Sequence, residues 1–291
     1  MKVKRILRIT APPIPQIIIL FLSKLSNLEA TIPIIIALSP ANTRSIRIIS
    51  INIISCSVIS IFIFYNLMNY KNIKVEKREN YATIEIANNK NNSLDQKTLS
   101  EIGDATKHLN KLKEIKCIGL VGGSKFFSPG ADIKELEKLD SKKAKKQKLF
   151  SRIDDLQKIN IPIISFVEGY ALGGGFELAL SSDLIIASSE AKFGLPEINL
   201  GLIPGIGGTQ KTKKFTSNQN IKYLAMSGEI IDAETAMKYG IVSQIIPKES
   251  FKEFTFNFLN KISSKPKKSL QIIKNLVNLE DNLKKSLKKE R

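Results

Sequence analysis

From Lys71 onward, hydrophobic positions recur at spacings that predict short strands and helices in alternation. Ile73–Glu76 and Tyr81–Ala87 form a predicted hairpin, the second arm alternating Tyr-Ala-Thr-Ile-Glu-Ile. Asn88–Ser93 is a polar turn cluster. Asp95 can then cap a helix running to about Lys113, with Leu99, Ile102, Ala105, Leu109 and Leu112 at helical spacing. Cys117–Val121 predicts a short buried strand. Ser141–Ile159 predicts a helix, Ile161–Val167 a buried strand, Gly174–Leu180 a helix and Asp183–Ala187 a strand. A Gly/Pro-rich loop from Gly194 to Gly208 follows, and then helices around one more strand, Val242–Ile246. Strands alternating with helices imply an α/β fold built of βαβ units.

Residues 1–67 follow no such pattern. They hold 19 Ile, seven basic side chains, one acid (Glu29) and no Asp. Ile48–Met68 runs 21 residues without a charge, long enough to span a bilayer as a helix, with Arg44 and Arg47 before it. A signal peptide fits poorly, since the apolar run starts late and no small-residue cleavage site follows. Three readings stay open: a mis-assigned start, with translation beginning at Met68, a membrane anchor, or a targeting segment. The expected division is thus an Ile-rich extension at 1–67 and one domain at 68–291, in a cytoplasmic protein unless 48–68 anchors it.

Composition narrows the chemistry. The chain has 291 residues, enough for a large core, and a net charge of +18. Seven basic and one acidic residue lie in 1–67, so +12 belongs to the rest. Such a balance suits nucleic acid, an anionic membrane, an anionic substrate, or only a Lys-rich surface. No basic stripe interleaved with aromatics appears, so nucleic acid is not expected as a partner. Cys56, Cys117 and the single His108 cannot build a cysteine- or histidine-rich metal site, and no metal is expected. His108 lies in a polar helix, expected exposed.

Three segments carry candidate chemistry. In Phe126-Phe127-Ser128-Pro129-Gly130-Ala131-Asp132-Ile133-Lys134-Glu135 a strand runs into a Gly-containing turn whose backbone N–H groups can point at an anion. In Glu168-Gly169-Tyr170-Ala171-Leu172-Gly173-Gly174-Gly175-Phe176-Glu177-Leu178 three glycines leave backbone bare where something approaches closely. In Phe193-Gly194-Leu195-Pro196-Glu197-Ile198-Asn199-Leu200-Gly201 a glutamate stands among apolar residues. Poor solvation there raises its pKa and makes it a better proton donor near neutrality. None matches the phosphate loop Gly-x-x-x-x-Gly-Lys-Ser/Thr or the dinucleotide fingerprint Gly-x-Gly-x-x-Gly, which argues against a nucleoside triphosphate or NAD.

Together and in this order, Gly-Ala-Asp-Ile-Lys-Glu, Gly-Tyr-Ala-Leu-Gly-Gly-Gly-Phe-Glu-Leu and Phe-Gly-Leu-Pro-Glu-Ile-Asn-Leu-Gly-Leu-Ile-Pro-Gly-Ile-Gly-Gly-Thr-Gln resemble the crotonase (enoyl-CoA hydratase/isomerase) superfamily. The resemblance covers about Asn69 to Asn275. It implies a ββα spiral core with C-terminal helices, here shortened, and acyl-CoA thioesters as substrates. It also implies an oxyanion hole from the N–H groups of Ala131 and Gly174, and Glu177 and Glu197 as the catalytic pair acting on water. Gly130, Asp132, Lys134, Gly173 and Gly205 would line the substrate and its CoA. No cofactor is implied beyond the CoA of the substrate, and a homotrimer or hexamer is the expected assembly. Both glutamates together favour an enoyl-CoA hydratase, a lyase of β-oxidation or branched acyl-CoA breakdown. A double-bond isomerase and an RNA-binding relative are the alternatives.

Overall fold

A computed structural model describes residues 70–88, 91–132 and 155–278, which lie in a compact unit beginning at Tyr70. The predicted anchor at 48–68 lies outside the described residues, as does most of the predicted helix Ser141–Ile159. Its described end, Asp155–Lys158, is a 3-10 turn. Among the described residues no helix is long and apolar enough to cross a membrane.

The main sheet has six strands: β1 (Ile73–Lys77), β2 (Tyr81–Ile86), β3 (Cys117–Val121), β5 (Ile163–Val167), β7 (Leu184–Ser188) and β10 (Gln244–Ile246), side by side in that order. β1 and β2 form the antiparallel hairpin that their alternation predicts, and the other neighbours pair in parallel. Helix α1 (Gln96–Lys111) is capped by Asp95, whose carboxylate accepts the Thr98 N–H at 2.7 Å. It puts Leu99, Ile102, Ala105 and Leu109 into one core cluster with Ile163 and Val167 of β5. Ile164 and Phe166 belong to a second cluster, with Phe251 and Leu259 of a later helix. Both faces of β5 are therefore covered, which is why its sequence is a continuous apolar run rather than an alternation. Each fully buried Leu, Ile or Phe contributes roughly 1.5–3 kcal/mol.

A second sheet is built from three-residue strands: β4 (Phe126–Ser128), β6 (Tyr170–Leu172), β8 (Lys192–Gly194) and β9 (Ile230–Asp232). β4, β6 and β8 each follow a main-sheet strand, and the unit β5–β6 leads into helix α2 (Gly174–Ala179). This is the repeating strand–strand–helix pattern of the expected α/β spiral. Three of these strands correct the sequence reading. β6 and β8 fall in segments where no strand is predicted, and β9 makes the C-terminal part hold two strands where one is expected. Three residues are too few for a period-2 pattern to show.

Helix α3 (Gly208–Lys211) closes the predicted loop, which also contains a 3-10 turn at Pro196–Leu200. Then come α4 (Asn218–Ser227), α5 (Ala233–Lys238), α6 (Lys248–Ser263), which carries Phe251 and Leu259, and α7 (Lys267–Val277). His108 corrects a second expectation. It is half-buried, and burial first, then Lys77 and Lys111, hold its pKa below the usual imidazole value. Cys117 is buried in β3, and burial pushes its thiol up to about 12.

Candidate active site

The second sheet assembles the site. β4 and β6 run parallel, Phe126 opposite Tyr170 and Ser128 opposite Ala171, so the turns leaving them lie side by side. Those turns carry Gly130–Ala131 and Gly173–Gly174. On the far side of β6, Leu172 pairs with Gly194 of β8, which delivers Glu197, three residues on, beside Gly173.

Gly130 has φ +105° and Gly173 φ +50°, conformations that side chains resist. Space is tight as well. A methyl on Gly130 would lie 2.9 Å from the Leu172 carbonyl oxygen and 3.2 Å from the Gly174 nitrogen. One on Gly173 would lie 3.2 Å from Oε1 of Glu197.

Ala131 is held by a parallel bridge to Leu94. The Leu94 N–H donates to the Gly130 carbonyl at 2.8 Å and the Asp132 N–H to the Leu94 carbonyl at 3.2 Å. Extended backbone alternates its polar groups, so the Ala131 N–H turns away from Leu94, on the side of Gly174. A methyl on Gly174 would lie 3.5 Å from the Ala131 nitrogen. Among the described residues neither the Ala131 nor the Gly174 N–H has an acceptor.

Glu177 lies one turn into α2, its N–H donating to the Gly173 carbonyl at 2.9 Å. The residue is 1% exposed. Its Oε1 accepts two backbone N–H groups, from Ile206 at 2.8 Å and Gly208 at 2.6 Å. Burial pushes this carboxyl up to about 7. The Gly208 N–H pulls it back, the Glu197 charge adds to the rise, and the Ile206 N–H and the Lys211 cation lower it. Glu197 is half-buried, and burial raises its pKa against the pull of its own backbone N–H. Its Oε2 is buried with no hydrogen-bond partner among the described residues. An unpaired buried carboxyl oxygen is costly and favours the protonated form.

Of the other expected site residues, Gly205 is exposed immediately before Ile206, and Asp132 is half-buried after Ala131. Lys134 lies outside the described residues. Among the described residues no group of three His, Cys, Asp or Glu side chains could hold a metal ion. What the sequence did not disclose is the support of Glu177. Ile206 and Gly208 sit in the Gly-Ile-Gly-Gly stretch, about thirty positions from the carboxylate they hold, and donate through backbone that no residue type marks.

The family model for enoyl-CoA hydratase/isomerase matches residues 76–291, about three quarters of the chain. The chain belongs to this family. A probable mitochondrial enoyl-CoA hydratase of Dictyostelium discoideum is 40% identical over 187 residues, 64% of this chain and 68% of that protein. The crotonyl-CoA hydratase of Syntrophomonas wolfei is 35% identical over 218 residues, 72% of this chain and 83% of its own. Among solved structures, an enoyl-CoA hydratase from Bacillus anthracis superposes with a TM-score of 0.72 at 28% identity, covering 76% of this chain and 88% of that one. One from Thermoplasma volcanium gives 0.70 at 32% identity, covering 75% and 89%. The chain is thus an enzyme of the enoyl-CoA hydratase/isomerase family, of the hydratase kind for which these relatives are named, and its fold is theirs.

Proposed function

We propose that this enzyme adds water across the double bond of a 2-enoyl-CoA, giving the 3-hydroxyacyl-CoA. The observation that carries the reading is the pairing of Glu177 with Glu197 beside two backbone N–H groups, Ala131 and Gly174, that have no acceptor among the described residues. The thioester oxygen accepts from both N–H groups and lies against the bare backbone of Gly130 and Gly173. Electron density moves onto that oxygen as the nucleophile adds, and preorganised donors contribute about 2.7–4 kcal/mol each at this stage.

Glu177, as carboxylate, takes a proton from water while the oxygen bonds to the β-carbon. Glu197, as acid, delivers a proton to the α-carbon. In the proposed reaction both carboxyls act on one face of the substrate, which makes the addition syn. Acid–base assistance of this kind is worth around 10²–10⁴-fold. An orphaned oxygen favours the protonated form of Glu197, and the two N–H donors on Oε1 of Glu177 oppose the burial that raises its pKa to about 7, so that it titrates near neutrality. A double-bond shift needs one carboxyl, so the second favours hydration over isomerisation. Asp132, Lys134 and Gly205 complete the proposed contacts to substrate and CoA, with fatty or branched acyl groups as the substrate class. Kinship also suggests a homotrimer or hexamer, which light scattering of the purified chain checks.

The direct test is loss of crotonyl-CoA absorbance on incubation with the enzyme. Glu177→Gln and Glu197→Gln are each expected to lower kcat at least about a hundredfold. Full activity in both variants would overturn the mechanism.

A further inference from the structure

Four side chains of the charged types are buried among the described residues: Glu101, Glu177, Lys211 and Lys274. Glu101 and Lys274 are explained by the fold. Glu101 accepts the N–H groups of Lys71 and Asn72 at the start of β1. Lys274 pairs with Asp183 at 2.7 Å and donates to the Ile161 carbonyl at 3.1 Å. Lys211 differs, because its contacts lead to Glu177.

The Lys211 ammonium, on a residue 5% exposed, donates to Ser181 Oγ at 2.9 Å. Ser181 Oγ in turn donates to the carbonyl oxygen of Glu177 at 2.8 Å. From its other end, the Lys211 N–H donates to the Gly207 carbonyl at 2.8 Å, and its stem lies under Gly207, where an added methyl would meet Cε at 3.4 Å. The next residue, Gly208, donates its N–H to Oε1 of Glu177. The contacts close a ring: Glu177 carboxylate, Gly208, the turn of α3, the Lys211 side chain, Ser181, and the Glu177 backbone. Among the described residues the other carboxyl oxygen, Oε2, accepts no hydrogen bond.

We propose that Lys211 is a positioning residue for the reaction: closing this ring, it holds Oε1 of Glu177 on the backbone, leaves Oε2 to the reacting water, and sets a cation near the carboxylate. The role rests on the hydration reading for its consequence, though not for its geometry. The Lys211 charge also acts to lower the pKa of Glu177, against the burial that raises it. Among the described residues, ionisable groups on several elements face the surroundings of α3. They include Glu177 on α2, Glu197 on the 3-10 turn, the Asp183–Lys274 pair beyond Ser181, and Lys213 and Lys214 just after the helix. Lys213 is turned to Gln210 Oε1 at 2.9 Å, and the charge of Lys214 is felt at Lys274.

The test uses the full chain with Lys211→Met and Lys211→Arg. Lys211→Met is expected to lower kcat for crotonyl-CoA roughly 10- to 100-fold while KM changes less than about twofold, as for a displaced reacting group. The acidic limb of its pH–rate profile should move upward by about one pH unit, because an opposing charge has gone. Lys211→Arg should recover most of the kcat and return the limb towards its original position. Carbon-13 NMR of labelled glutamate carboxyls, assigned with Glu177→Gln, should show the same upward shift of Glu177 in the free Lys211→Met protein. Unchanged kcat and titration in Lys211→Met would overturn the proposal. So would equal losses in both variants with the Glu177 titration unmoved, which is a folding defect only. Failure of the parent chain to hydrate crotonyl-CoA would count against the hydration reading instead, since the carboxyl titration still reports the hold of Lys211 on Glu177.

Discussion

Glu177 is held where charge is costly. Its pKa of about 7 stands above the ordinary value of 4.5, so the folded state favours the protonated carboxyl. Its contribution to stability is therefore complete below pH 4.5, falls as the pH rises towards 7, and stays low above that. The 2.5-unit gap corresponds to about 3 kcal/mol at most. Glutamine keeps an oxygen for the Ile206 and Gly208 N–H groups but carries no charge at any pH. Glu177→Gln is thus expected to be more stable than the parent at pH 8, with the advantage shrinking towards pH 5. Urea unfolding at the two pH values checks this, and a larger advantage at pH 5 would contradict the assignment. Stability gained at the expense of activity is the usual mark of a functional site. Of the proposed site's residues, Glu197 stands out in the sequence as a carboxyl in an apolar run and the turns as consecutive glycines, while Glu177 is marked only by the order of motifs that resembles the family. Lys211 is not marked, since nothing in Gly-Gly-Thr-Gln-Lys distinguishes a buried lysine from a solvated one.

At the scale of elements, helix α7 is held by charge. Leu270, Ile272, Ile273, Leu276 and Val277 make much of it apolar, yet Lys274 is its buried side chain, while Ile272, Ile273 and Val277 are exposed among the described residues. Asp183 also accepts the Ile163 N–H at 2.8 Å, so one carboxylate joins β5, the start of β7 and α7. Burial lowers the pKa of Lys274, and Asp183 offsets the shift. Removing one member of such a pair leaves the other poorly compensated. Lys274→Met is expected to lose about 3 kcal/mol in urea unfolding, and adding Asp183→Asn to restore part of it. Additive losses would show that the two do not act as a pair. Hydrophobic periodicity alone would have turned Ile273 inward. The half-buried Asp183, on another element, overrides it.

At the scale of the whole molecule, the described residues from Tyr70 carry both sheets and the proposed site. We propose that 68–291 is the acyl-CoA domain, so a chain started at Met68 is expected to match the full-length kcat/KM for crotonyl-CoA within about threefold. A loss beyond tenfold would give 1–67 a role in catalysis. The main sheet was legible because its strands are mostly five or six residues long and buried, so their apolar runs stand out. The second sheet was not. Its strands are three residues each, and its order joins segments scattered from Phe126 to Asp232.

By itself the sequence determined the α/β class, the Asp95 cap, the hairpin, and the two glutamates and glycine turns that mark the family. These are local: residue type, spacing and backbone freedom suffice to state them. Only the tertiary structure decided that β4 and β6 run side by side and bring Ala131 to Gly174. It alone sets Glu197 over Gly173 and holds Glu177 on the N–H groups of Ile206 and Gly208. Those facts are pairings between backbone groups tens of residues apart. Backbone hydrogen bonds are the same for nearly every residue type, so no side chain in the sequence announces them.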